Sequence, residues 1–206
     1  MTLSTDDDGA GMTSSQAEYF ANNFRVIGQQ ETTTSGFSAT LFERLNESGK
    51  GTGEFFLSMR GSDGLSNIID WTDANLDNVV GAISRNQTID MLNFYLELTG
   101  STSEDVAQFE LKRIESQETP TEPYIFSRPV GMAVSSFLVL REKPPLAQGL
   151  DVLSATSDLT LTGHSLGGHL ASEFTLLFPN VVTETTTFNS AGFILHENSS
   201  EFKRVV

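Results

Sequence analysis

An α/β fold, with a mostly parallel central sheet and flanking helices, is what this sequence predicts, on three observations. Stretches of strand character alternate with stretches of helical periodicity. The run 158–178 reads as strand, tight glycine turn and helix in immediate succession. A second strand, ending at Met59, runs into Arg60-Gly61-Ser62, another turn of small residues. In sheets of that kind ligands sit beyond the carboxyl ends of the strands. Gly61-Ser62, Ser165 and Asn189-Ser190-Ala191-Gly192 would all fall there.

The elements follow in order. Residues 1–13 form a disordered acidic tail, because Asp6-Asp7-Asp8 with Gly9 and Gly11 offers little to bury. Residues 14–206 form one domain. It opens on a helix at Ser14-Ser15-Gln16-Ala17-Glu18, with a serine cap and an early glutamate. Residues 38–45 and 54–59 read as two strands of a hairpin about the turn cluster 46–51. Leu76, Val79, Val80, Ile83, Met91, Phe94 and Leu98 recur mostly at three- and four-residue steps, a helix with a break expected near Gly81 or Asn86. Residues 99–120 are polar, with 106–114 helix-compatible. The stretch 119–145 holds five of the six prolines and has no clear periodicity. The whole of 99–150 is a candidate lid or insertion. Phe126, Met132 and Phe137 are either its acyl-chain surface or ordinary packing. Residues 158–162 form the next strand, and Pro179-Asn180 stops the helix that follows. Valine and threonine make 181–188 a further strand.

Bulk properties exclude several functions. The chain has 206 residues, enough for one sizeable core, and no window apolar enough to span a bilayer. A formal net charge of -15 argues against nucleic acid as a partner and against attraction to an anionic membrane. Cysteine is absent, which rules out disulfides and thiolate chemistry. Residues 1–11 lack the charged and apolar regions of a secretion signal.

Gly163-His164-Ser165-Leu166-Gly167, between a strand and a helix, is the sequence a nucleophile elbow requires. Such a turn strains the serine backbone, and the glycines relieve the crowding. The hydroxyl then stands at the positive N-terminal end of the following helix. The alternative is a glycine-rich turn with an ordinary serine. Acyl transfer also needs two N–H donors aimed at the developing oxyanion. One is the N–H of Leu166. The other must come from a loop after an earlier strand, and Ser62 is placed to supply it.

Arg60-Gly61-Ser62, Asp70-Trp71 and Thr162-Gly163-His164-Ser165-Leu166-Gly167-Gly168 together resemble the class 3 lipases, a branch of the α/β-hydrolase fold. His169-Leu170-Ala171 adds a likeness to secreted bacterial lipases and phospholipases A1. The likeness covers about residues 36–193. It implies an α/β-hydrolase-like fold and hydrolysis of lipid acyl esters, those of triacylglycerol or of a phospholipid. It also implies Ser165 as nucleophile, and Ser62 and Leu166 as the oxyanion hole. An extracellular location follows from the resemblance; without it the cytoplasm fits equally. No cofactor is expected within this chain, though some proteins of this type carry calcium-binding repeats downstream. The expected partners are the ester substrate and, transiently, a lipid interface. Met59 stands where the family usually has phenylalanine.

A serine needs a base, and the hydrolase order is serine, acid, histidine. No aspartate follows Ser165. The later carboxylates are Glu173, Glu184, Glu197 and Glu201, and the later histidines are His169 and His196. His169 lies one helical turn beyond Ser165, a helix position facing packing or solvent; His164 sits inside the elbow; His196 leaves no room for an acid-bearing strand before it. The expectation is therefore a fold truncated at its C-terminus, with acid and histidine beyond Val206. The alternatives are a non-catalytic module, or a thioesterase or peptidase on the same scaffold. Asp63, Asp70, Asp73 and Asp77 match no calcium-loop spacing and read as a solvated helix start.

Overall fold

The structure, a computed structural model, describes residues 12–60, 76–130, 134–144, 146–154 and 157–190, with the backbone alone at 76–84 and 125–129. Ten strands and three helices lie within these residues. Helix α1 (Ser14–Asn23) runs directly into β1 (Phe24–Gln30). Its cap is Thr13, not a serine. The Thr13 hydroxyl accepts from the Gln16 N–H at 3.3 Å, and the Gln16 side chain accepts from the Thr13 N–H at 2.9 Å. This reciprocal capping box satisfies two end donors.

The hairpin is present as β2 (Ser38–Leu45) and β3 (Gly51–Arg60). Next comes α2 (Leu76–Thr99), unbroken at Gly81 and at Asn86. Strands β4 (Asp105–Val106), β5 (Phe109–Ser116), β6 (Tyr124–Pro129), β7 (Ser135–Glu142) and β8 (Ala147–Gln148) fill the middle of the chain. The elbow unit is β9 (Asp158–His164) and α3 (Leu166–Leu177), followed by β10 (Val182–Phe188).

The main sheet has the order β1-β2-β3-β9-β10. Here the expected fold class is overturned. The β1/β2 and β2/β3 pairings are antiparallel, and only β3/β9 and β9/β10 are parallel. The sheet is mixed, not the mostly parallel, helix-flanked sheet of an α/β-hydrolase. The reason is loop length. A connection as short as 46–50 can only turn back on itself, whereas a parallel return needs a crossover of a dozen residues or more. The strands of the middle segment do not enter the main sheet at all. They form a three-stranded antiparallel sheet, β5-β7-β6, and the β4/β8 pair. Residues 106–114, read as helix-compatible, are largely β5. Glu, Leu, Lys and Arg favour helices in isolation, but eight cross-strand pairings with β7 outweigh that preference.

Strand periodicity places the core. Ala39 and Leu41, Leu57 and Met59, and Leu159 and Leu161 point to one face of the main sheet, all nearly inaccessible. Met91, Phe94 and Leu98 of α2 and Leu170, Ala171 and Phe174 of α3 pack on that face. The opposite face is covered at one end by α1, where the Phe20 ring meets Phe42 edge-on at 5.1 Å. Phe24 meets Phe56 similarly at 5.4 Å, and the Arg44 guanidinium lies over both rings.

Two devices tie the middle segment to the core. The side-chain amide of buried Asn93 donates to the Phe109 carbonyl, and its oxygen accepts from the Phe109 N–H, both at 2.8 Å. The first residue of β5 is thus hung on α2. Farther on, the N–H groups of Leu150, Val152 and Leu153 donate to the carbonyls of Glu97 and Leu98. They satisfy carbonyls that the helix end leaves open and lead the chain toward β9. Phe137 is buried and stacks edge-on against Tyr124 at 5.2 Å, so its role is packing within this sheet. No helix is long and apolar enough to cross a membrane among the described residues.

Candidate active site

Ser165 occupies the single residue between β9 and α3. Its backbone has φ 54° and ψ -121°, a geometry that non-glycine residues rarely adopt and that costs on the order of 1–3 kcal/mol. The neighbours enforce it. The Ser165 N–H donates to the carbonyl of Phe188, the last residue of β10, at 3.0 Å. The Ser165 carbonyl accepts from Gly168 at 3.1 Å and His169 at 3.2 Å, which begins α3. Asn189, just past β10, is itself left-handed at φ 45°, a conformation asparagine tolerates.

The two glycines of the turn are there for space. A Cβ on Gly163 would land on the carbonyl of Gly167, so the end of β9 and the start of α3 touch through bare backbone. A Cβ on Gly167 would land on the Met59 carbonyl and the adjoining Arg60 backbone. The second contact seats the start of α3 on the end of β3. It brings the point where Arg60 leaves β3 against the elbow. Gly168 is less confined; its nearest neighbours are Ser190 Cβ at 3.0 Å and the Gly163 carbonyl at 3.1 Å.

Ser165 opens onto a cleft of about 670 Å³. Residues of β1, β2, β3, β9 and β10 line it, with Arg60, His164 and Phe188 at the Ser165 end. The Ser165 hydroxyl makes no capping bond. No described group is hydrogen-bonded to it, so it is available to a ligand. Leu166 is the first residue of α3. Its N–H therefore belongs to the helix-end donors that have no partner inside the helix. The structure thus places Ser165 and Leu166 together at a helix N-terminus. Ser62 lies outside the described residues, as do Asp63, Asp70, Asp73 and His196; Asp77 is described in backbone only.

The described histidines do not complete a triad with Ser165. His164 is exposed on the cleft wall. His169 lies on α3 one turn before Glu173, and its charge acts on that carboxylate. Sequence reading missed the role of Glu173, which is a tertiary contact. Its carboxylate accepts from the Thr88 hydroxyl of α2 at 2.7 Å, joining the two helices behind the sheet. Burial lifts its carboxyl above the ordinary value, against the opposing pull of Thr88 and His169. The folded protein thus holds this proton more tightly than the unfolded chain. The resulting stabilisation is complete below the ordinary carboxylate range and is lost as pH rises through the lifted value. Burial lifts Glu97 in the same direction. Glu173→Gln keeps an acceptor for Thr88 and removes the titration. Denaturant midpoints from about pH 4 to about pH 8 should therefore fall less steeply in this variant than in the parent. Parallel curves would show that burial of Glu173 is not the cause.

No family model, curated protein or solved structure matches this chain.

Proposed function

We propose that this protein is a serine carboxylic-ester hydrolase that takes the acyl group of a lipid acyl ester onto Ser165. One observation carries the reading. A non-glycine residue is held at φ 54° and ψ -121°, with a hydroxyl to which no described group is hydrogen-bonded, at a helix N-terminus and facing a cleft. Strain of that kind is retained where the surrounding structure enforces it, and it clusters at functional positions.

The chemistry follows from the position. The Ser165 Oγ adds to the ester carbonyl carbon, and the carbonyl oxygen takes up negative charge. The N–H of Leu166 and the positive end of α3 stabilise that charge; Ser62 is the proposed second donor. The bond to the alcohol oxygen then breaks, and the serine proton passes to the departing alcohol. Water adds to the acyl-enzyme, releases the carboxylic acid and restores the hydroxyl. Each half-reaction needs a base, and no described histidine ring is hydrogen-bonded to the Ser165 hydroxyl. An activated ester, whose leaving group needs no proton, is therefore the right probe. The lipid acyl ester itself comes from the resemblance to class 3 lipases.

Incubation with p-nitrophenyl butanoate is expected to leave a butanoyl group on the peptide containing Ser165, detected by mass spectrometry, and none in Ser165→Ala. An adduct that persists in the variant, or that sits on another residue, overturns the reading.

A further inference from the structure

The main sheet turns a polar row toward the cleft. Its register sets Gln29 opposite Thr40, Thr40 opposite Ser58, Ser58 opposite Thr162, and Thr162 opposite Thr186. Side chains alternate along strands, so these five share one face, opposite the face that α2 and α3 bury. The first four line the cleft that Ser165 opens onto. Among the described residues nothing is hydrogen-bonded to the side chains of Gln29, Thr40, Ser58 or Thr162. Their capacity is open to a ligand. Thr40, Ser58 and Thr162 are also half-buried, so their hydroxyls are held in a concave floor instead of scattered on a convex surface.

This floor does not suit an alkyl chain. Burying polar groups without partners is costly, and an apolar ligand supplies none. A sheet face meant to receive hydrocarbon would carry valine, leucine or phenylalanine at these positions, as the opposite face does. Hydroxyl groups on neighbouring strands stand about 4.8 Å apart. They can both donate and accept, which suits a ligand bearing several hydroxyls of its own. Phe188, 58% exposed beside Ser165, and Phe42 in the same lining add apolar rings against which the C–H face of such a ligand can rest.

We propose that this cleft binds the alcohol side of the ester, and that this alcohol is a polyol, a sugar in the first instance. The proposal rests on the reading of Ser165 as acyl acceptor. The acyl chain then leaves the carbonyl away from the threonine floor. The substrate class becomes acyl esters of polyhydroxylated alcohols rather than of simple alkanols.

The test is binding by the Ser165→Ala chain, which cannot consume an ester. Glucose 6-butanoate and methyl butanoate share an acyl group and differ only in the alcohol. By calorimetry or ligand-observed NMR, the glucose ester is expected to bind at least about 10-fold more tightly, as two or more added hydrogen bonds provide. Thr40→Val with Thr162→Val keeps side-chain shape and removes two hydroxyls. It should weaken glucose 6-butanoate by about 10-fold and leave methyl butanoate within about 2-fold. The unchanged ester shows that the cleft survives. Should that pair unfold, Ser58→Ala should show the same selectivity at about 3-fold. A third arm, 1-butanoylglycerol, distinguishes the source: binding as tight as the glucose ester keeps the polyol class and moves it to glycerol. Equal or absent binding of all three esters overturns the proposal, as does a threonine pair that changes nothing. Selective binding without any acyl adduct on Ser165 in the parent chain would leave the polyol site standing and remove the hydrolase reading alone.

Discussion

Gly167→Ala is expected to cost the fold about 3 kcal/mol or more, at the upper end of what one added methyl does to a packed interior. Local propensity predicts the reverse. Gly167 lies in the first turn of α3, and glycine to alanine in a helix is worth up to about 1 kcal/mol in favour of alanine. The clash decides the sign. The new Cβ would fall on the carbonyl of Met59 and the backbone of Arg60. A side chain could rotate away, but main chain can yield only if α3 moves off β3. That movement would open the buried layer of Leu57, Met59, Leu170 and Ala171. Gly163→Ala meets the backbone of Gly167 and Gly168 and should behave alike. Gly168→Ala meets mainly Ser190 at 3.0 Å and should cost much less, about 1 kcal/mol. Chemical denaturation of the three variants gives the ordering. Equal midpoints for Gly167→Ala and Gly168→Ala would mean that the elbow does not rest on β3 as described.

Ser165→Gly should stabilise the protein, and Ser165→Ala should not. Alanine keeps a Cβ and so keeps the cost of φ 54°, ψ -121°, on the order of 1–3 kcal/mol. Glycine adopts this conformation freely but gains about 0.5–1 kcal/mol of unfolded-state freedom, which subtracts from the benefit. The net expectation is a gain of about 0.5–2 kcal/mol for glycine over alanine, read from denaturant midpoints. Both variants should lose the acyl adduct completely. Stability rising where chemistry disappears is the signature of strain maintained for function. A glycine variant no more stable than the alanine one would mean that Ser165 carries no strain, and the main support for the nucleophile would go with it.

Several features were legible before any coordinates. The limits of β2 follow from the alternation in Ser38-Ala39-Thr40-Leu41-Phe42-Glu43-Arg44-Leu45, bounded by the Asn46–Gly51 turn cluster. The β9–Ser165–α3 unit follows from Leu159-Thr160-Leu161-Thr162 running into glycine-flanked serine. Strand β1 was not legible, because Phe24-Arg25-Val26-Ile27 follows α1 with no glycine or proline to mark the change. Nor were β5 to β7; in β5, residues of helical preference are held extended by partners in β7 that lie 19 to 33 positions away. The mixed sheet could have been anticipated: a hairpin already committed two strands to antiparallel pairing.

Local chemistry, then, settled the elbow. Serine between glycines, strand before and helix after, constrains itself over a dozen residues, and no distant partner is needed to recognise it. The direction of the outer strands, the seating of Gly167 on β3, the link from Glu173 to Thr88 and the row from Gln29 to Thr186 came only with the folded chain. Each of these depends on which strand lies beside which, and pairing across long separations is decided by global burial and loop closure, not by neighbours in sequence.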